Sequence, residues 1–149
     1  RCRGSACLGA PPARPAEERA GAESLFAPTG TALWVAQESD LDAVTAWSGS
    51  GPAYVFYVVE AMMQAAAEMG LTAAQGRQLA LATFDGATAL AAASKESPET
   101  LRAQVTSKGG TTHAAITALE EADVKAAFVR ALHAARERAR ELGDEFGSV

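Results

Sequence analysis

The run "PAYVFYVVEAMMQAAAEMG", residues 52–70, limits the fold more than any other stretch of this chain. It is apolar on nearly every face, which marks a helix buried on several sides rather than an amphipathic surface helix. Pro52 stands in the first turn, where its missing N–H costs nothing, and Gly70 stops the run as a C-cap. Thr72 then caps a second helix, "AAQGRQLALATFDGATALAAASKE". Its Gly76, Ala80, Ala82, Gly86 and Ala87 permit close approach of a neighbouring helix. Upstream, "DLDAVTAW" begins a helix with Asp40 as N-cap, and "SGSG" interrupts before Pro52. Downstream, Ser97 and Pro98 open "PETLRAQV", and Ala114, Ile116 and Leu119 begin a further helix. The last pattern, "ADVKAAFVRALHAARERAREL", sets Val124, Ala127, Phe128, Ala131, Leu132 and Ala135 on one stripe.

Residues 40–149 therefore form a mainly α module of about five helices. Its alanine-rich central helices are more apolar than so small a bundle needs for its own core. That favours a homodimer in which they are buried further. A monomeric bundle around a large alanine-lined core is the alternative.

The first 39 residues differ in kind. Residues 1–16, "RCRGSACLGAPPARPA", hold three prolines and no apolar period, and are expected to be loop or disordered. Residues 17–27 suit a short helix, and "TGTALWVA", 29–36, a short buried strand. It is the one convincing strand in the sequence, and a lone strand cannot satisfy its own backbone. It must pair with something else, or belong to a domain that this chain lacks.

Charge and cysteines exclude several classes. The 149-residue chain carries a net charge of -5 and no basic run, which argues against a nucleic-acid partner. Arg136, Arg138 and Arg140 interleave with Glu137 and Glu141 as a solvated helix face. No apolar run is long enough to span a membrane, so a soluble protein is expected. Cys2 and Cys7 are the only cysteines, a pair with no second pair or nearby histidine, and so a poor zinc signal. With no disulfide framework, a reducing, cytoplasmic setting fits.

Familiar catalytic patterns fail. "SGSGP" lacks the nucleophile-elbow spacing, and no histidine stands in a suitable order to activate Ser48 or Ser50. In "SKGGTT" the lysine precedes the glycines, so the phosphate-loop order is missing. His113 and His133 are isolated. Two polar loops remain, "SGSGP" at 48–52 and "TSKGGTT" at 106–112. Both set small residues before a helix start, where glycines admit a ligand to the backbone and N–H groups receive a carboxylate or phosphate. Two ordinary capped turns would contain the same residue types.

"DAVTAWSGSGPAYVFYVVEAM" (42–62) and "LRAQVTSKGGTTHAAITALEE" (101–121) closely resemble the two most characteristic stretches of pyrroline-5-carboxylate reductase. The resemblance runs from about residue 17 to 142. It implies NADPH- or NADH-dependent reduction of 1-pyrroline-5-carboxylate to L-proline, in proline biosynthesis. It also implies an N-terminal Rossmann domain for the cofactor and a helical domain that forms homodimers, which assemble further into rings. Residues 17–39 then look like the end of the Rossmann domain, and 40–149 like the helical dimerisation and substrate-binding domain. Residues 1–16 do not resemble the family.

By the same resemblance, Ser107, Gly109, Gly110 and Thr111 hold the substrate carboxylate, largely through backbone N–H groups. Thr112 places its hydroxyl near the imine nitrogen, and Ser48, Gly49, Ser50, Gly51 and Pro52 lie near the nicotinamide. Two positions depart from the family: Lys108, where proline is common, and His113, where an apolar residue is common. No G-x-G-x-x-G occurs in the sequence. The expectation is a fragment of a reductase lacking most of the cofactor domain, inactive or nearly so alone. A non-catalytic helical oligomerisation module, or a pseudogene product, is the alternative.

Overall fold

The computed structural model describes residues 4–9, 16–35, 37 and 40–146. They fall into two compact units, one of residues 1–53 with 128–149 and the other of residues 54–127. Each is described by itself.

In the first unit, strand β1 (Gly4–Gly9) is followed by helix α1 (Ala16–Phe26), a single 3-10 turn (Ala27–Thr29) and strand β2 (Gly30–Val35). The strands pair in parallel, from Gly4 opposite Gly30 to Gly9 opposite Val35. A strand–helix–strand connection is what a parallel pair needs, because a tight turn cannot join strands running the same way. The strand expected at 29–36 is therefore present as β2, but not alone. Its partner lies in the segment expected to be loop. The sequence "GSACLG" has glycine at both ends and weak strand propensity, so its extended form depends on the ladder with β2 rather than on its own residues. The rest of that expected loop, residues 1–3 and 10–15, lies outside the described residues. Trp34 of β2 donates its indole N–H to Glu23 Oε1 of α1 at 2.6 Å, tying strand to helix.

Helix α2 (Asp40–Val44) continues the same unit. Asp40 was expected as an N-cap. It is instead the first helical residue, and its carboxylate accepts from the Gln37 N–H at 3.3 Å. The "SGSG" interruption is also revised. Residues Thr45–Gly49 form a turn of π-helix, and only Ser50 separates it from helix α3 (Gly51–Glu68). Ser50 N–H reaches back five residues to Thr45 O at 3.3 Å, and Ser48 Oγ donates to Val44 O at 2.9 Å. Neither Gly49 nor Gly51 takes a positive φ, so these glycines make no reversal. Such a wide turn absorbs one extra residue while the chain keeps its helical course.

The second unit is organised by α3, from Tyr54 onward, and α4 (Ala73–Ala93), which form a helical hairpin. Gly70 adopts φ +89°. The Gly70 N–H donates to Ala67 O and the Leu71 N–H to Ala66 O, the paired bonds of a Schellman stop. Two residues later Thr72 forms a reciprocal capping box. Its hydroxyl accepts from the Gln75 N–H, and Gln75 Oε1 accepts from the Thr72 N–H. Gly76 and Ala80 are buried, as the small-residue pattern anticipated, whereas Ala82, Gly86 and Ala87 are exposed. A Cβ on Gly76 would stand 3.0 Å from the Ala66 Cβ, tighter than an ordinary contact, so glycine suits the close approach of the helices here. Ser94 ends α4 three residues early because its hydroxyl accepts the Glu96 N–H.

Helix α5 (Pro98–Gln104) starts as expected, with Ser97 as N-cap and proline in the first turn. Helix α6 (Thr111–Glu121) begins three residues before the expected Ala114. Arg102 of α5 and Glu120 of α6 form a 3.1 Å ion pair across the loop between them, with both side chains exposed. Asp123 turns the chain into helix α7 (Val124–Phe146) with φ +54°, a left-handed conformation that aspartate tolerates. Of the stripe expected on α7, Val124, Leu132 and Ala135 are half-buried while Ala127, Phe128 and Ala131 are exposed.

Among the described residues six α-helices follow Asp40, and the fully buried hydrophobic side chains are Ala46, Val59, Ala66 and Ala80. Large apolar groups remain outside on α3 and α4: Phe56 is 61% exposed, Tyr57 72% and Leu79 56%.

Candidate functional site

The loop between α5 and α6 is built on one turn. Gly110 N–H donates to Ser107 O at 3.0 Å, closing a four-residue turn with Lys108 and Gly109 at its centre. Gly109 has φ +74°, and Lys108 does not have a positive φ. That combination is a type II turn, whose third position favours glycine and whose second favours proline. Gly110 is fixed by space instead: a Cβ there would stand 2.5 Å from Ser107 Oγ and 3.2 Å from Ser107 O. The two glycines of "SKGGTT" are therefore favoured for different reasons, Gly109 by its positive φ and Gly110 by the close approach of Ser107.

The turn delivers the chain into α6 with Gly110 as an N-cap that has no side chain to offer. The first helical bond to reach back across the start is Ala114 N–H to Gly110 O at 3.1 Å. The N–H groups of Thr111, Thr112 and His113 consequently have no acceptor among the described residues. A helix N-terminus concentrates such donors and the positive end of the helix dipole, which together suit an anion. The Ser107, Thr111 and Thr112 hydroxyls likewise have no partner among the described residues, whereas Thr106 Oγ1 donates to Arg102 O at 2.6 Å. Of the hydroxyls in the loop, Thr106 is thus committed to the end of α5. Ser107, Lys108, Gly109 and Thr111 are exposed, and Gly110 and Thr112 are half-buried.

The resemblance implied backbone donors around Gly109, Gly110 and Thr111. In the structure the Gly110 N–H is spent inside the turn, and His113, which was not among the expected substrate-binding residues, has an N–H free beside those of Thr111 and Thr112. The missed signal is the helix start: Thr111 and Thr112 are poor interior helix residues, and their position in the first turn shows only once the Gly110 cap is seen.

The residues Ser48 to Pro52 lie in the other unit. Their polar groups are mostly engaged by the π turn, since the Ser50 N–H and Ser48 hydroxyl bond within it and the Ala53 N–H donates to Ser50 O at 3.0 Å. Pro52 has no N–H. This donor set does not fit a dinucleotide pyrophosphate, and the sequence has no glycine-rich fingerprint to supply one. The same unit contains an open, mainly apolar hollow of about 290 Å³ between Ala46 and Trp47 on one side and Leu132, His133 and Arg136 of α7 on the other.

The shifted titratable groups lie elsewhere, near the end of α7. A hydrogen bond from Arg140, at 2.6 Å, and its charge hold the Glu137 carboxyl below the usual carboxylate range. Arg138 is raised by its hydrogen bonds to Glu141 and Glu145, and Arg140 by its bond to Glu137. These groups are fully exposed, so they form a solvated ion-pair ladder on one helix. Among the described residues no helix is long and apolar enough to cross a membrane.

A sequence profile described as pyrroline-5-carboxylate reductase dimerisation matches residues 38–142. The pyrroline-5-carboxylate reductase of Corynebacterium melassecola is 46% identical over 128 residues, which cover 86% of this chain and 47% of that protein. The Pseudomonas aeruginosa enzyme of the same name is 42% identical over 87% of this chain and 47% of its own length. Among solved structures, a pyrroline-5-carboxylate reductase from Coxiella burnetii superposes with a TM-score of 0.88 at 38% identity, covering 93% of this chain and 51% of that one. The Plasmodium falciparum enzyme, solved with NADP bound, gives 0.84 at 27% identity. The chain spans about half the length of the curated relatives it matches. By these matches, and by helices that follow the same course, the chain belongs to the pyrroline-5-carboxylate reductase family.

Proposed function

We propose that this chain carries the substrate-binding and dimerisation part of an oxidoreductase that reduces 1-pyrroline-5-carboxylate to L-proline, the closing step of proline biosynthesis in the cytoplasm. The observation that carries the reading is the Ser107–Thr112 turn. A type II reversal through Gly109 and Gly110 opens onto three backbone N–H groups without acceptors among the described residues, within the stretch that matches the family. A small ring carboxylate fits such a site: its charge meets oriented dipoles, and nothing bulky stands in the way.

In this reading the N–H groups of Thr111, Thr112 and His113 receive the carboxylate, with the Gly109 backbone beside them, and the Ser107 hydroxyl adds a rotatable donor. Gly110 contributes by its missing side chain. Thr112 holds its hydroxyl toward the imine nitrogen. As a weak acid it orients that nitrogen and stabilises developing charge rather than driving proton transfer by itself. The reductant is NADPH or NADH, which supplies hydride to the imine carbon. The resemblance implies that Ser48–Pro52 lies near the nicotinamide, but the donors described there do not cradle a dinucleotide.

Dimerisation follows from the exposed apolar faces of α3 and α4. Phe56, Tyr57 and Leu79 stand largely in solvent in the single chain, and a second copy covering them gives the interface an apolar core. A ring of dimers is the natural extension. Those faces also suit the second reading, an oligomerisation module without catalysis.

L-proline binding, measured by calorimetry, separates the two readings. The substrate-site reading expects saturable binding to the 149-residue chain and none of pyrrolidine, which lacks the carboxylate. Equal binding of both, or of neither, contradicts it. The chain alone with NADPH and pyrroline-5-carboxylate is expected to turn over little or not at all, and clear NADPH consumption refutes that expectation.

A further inference from the structure

The residue at the second position of the substrate-loop turn has no structural task in this chain. Proline suits that position of a type II turn because it presets φ. Lys108 presets nothing, its backbone N–H donates no bond among the described residues, and its side chain is exposed. Nor does its ammonium group pair with any carboxylate among the described residues. Three arginines, by contrast, are committed: Arg102 to Glu120, Arg138 to Glu141 and Glu145, Arg140 to Glu137 and Asp144. Lys108 is thus an uncommitted positive charge, held within one short turn of the unpaired N–H groups of Thr111, Thr112 and His113. It belongs to a chain whose net charge of -5 otherwise repels anions.

We propose that Lys108 is an affinity-determining residue of this site, whose ammonium draws in the ring carboxylate by long-range attraction. The proposal rests on the substrate-site reading of the loop. Lys108 makes no fixed bond in this role. A flexible, hydrated ammonium on the exposed turn acts through solvent, so its effect is modest and fades with salt. Removing it costs about two- to fivefold in affinity at low ionic strength.

The probe is cyclopentanecarboxylate, a ring carboxylate with no nitrogen of its own, titrated calorimetrically into the wild-type chain and three variants. Lys108→Gln removes the charge at similar length, Lys108→Pro removes the charge but suits the turn, and Lys108→Arg keeps the charge. At about 10 mM salt, Gln and Pro are expected to bind about two- to fivefold more weakly than wild type, with Arg unchanged. At about 0.5 M salt the four should converge. Equal affinities at low salt overturn the proposal, as does a gap that persists at high salt. Failure of the wild-type chain to bind cyclopentanecarboxylate while binding L-proline overturns it but leaves the site reading standing. Failure to bind either removes both.

Discussion

Gly76 gives the sharpest quantitative test of how the helical hairpin is held. Replacing it with alanine has two opposed effects. In a helix interior alanine is favoured over glycine by about 1 kcal/mol. The new Cβ, however, meets the Ala66 Cβ at 3.0 Å, with the Met63 carbonyl oxygen at 3.6 Å and the Met63 Cα at 3.7 Å. The last two are ordinary contacts; only the first is tight. Ala66 is itself buried on α3, so relief requires the helices to part, at a cost of about 1–3 kcal/mol. Gly76→Ala alone is therefore expected to be neutral to about 2 kcal/mol destabilising. Ala66→Gly removes the opposing methyl and itself costs about 1 kcal/mol or more through propensity and lost burial. In that background Gly76→Ala should stabilise by about 1 kcal/mol, because the propensity gain is no longer opposed. The coupling between the two sites is then about 1–3 kcal/mol. Urea unfolding of the four proteins at one fixed concentration, followed by far-UV circular dichroism, measures it. Fixing the concentration matters because self-association would contribute to apparent stability. Additivity within about 0.5 kcal/mol would refute the claim that Gly76 is kept for helix contact.

Gly110→Ala should open the turn by crowding Ser107. The cost in stability is about 1 kcal/mol and L-proline affinity should fall; the Ser107→Ala, Gly110→Ala pair should recover only part, because the Ser107 carbonyl still stands 3.2 Å away. Thr72→Ala removes the capping box and should lower stability by about 1 kcal/mol in the same urea assay. Glu137, held below the usual carboxylate range by Arg140, contributes its ion pair fully above the ordinary glutamate pKa. That contribution is lost as pH falls through the lowered value. Its side-chain carboxyl carbon, followed by NMR, should titrate below the ordinary glutamate range, and Arg140→Ala should raise its midpoint. An unchanged midpoint would deny the bond.

Much of the helical half was legible because local chemistry and tertiary demand agree there. Gly70, Thr72, Ser97 and Pro98 act where their side chains or backbone freedom require, and Gly76 and Ala80 are buried as their size suggests. The errors lie where a hydrogen bond between residues of ambiguous propensity decides the path. "SGSG" looks like a break, yet the Ser50 N–H to Thr45 O bond carries the chain through as a π turn. β1 was illegible because its residues have no strand pattern, and only pairing with β2 makes them extended. In the candidate site both glycines were visible in the sequence, but their division of labour was not. A positive φ at Gly109 and a steric limit at Gly110 are facts of geometry. The start of α6 at Thr111, which sets the unpaired donors, depends on the Gly110 cap in the same way.

The most direct test of the site is amide-resolved NMR of the chain during titration with L-proline. The substrate-loop reading predicts saturable shifts concentrated at Gly109, Thr111, Thr112 and His113, with the Gly110 amide, already bonded to Ser107 O, moving less. Shifts that centre on the hollow beside Trp47 and His133, or none at saturating L-proline, would contradict it.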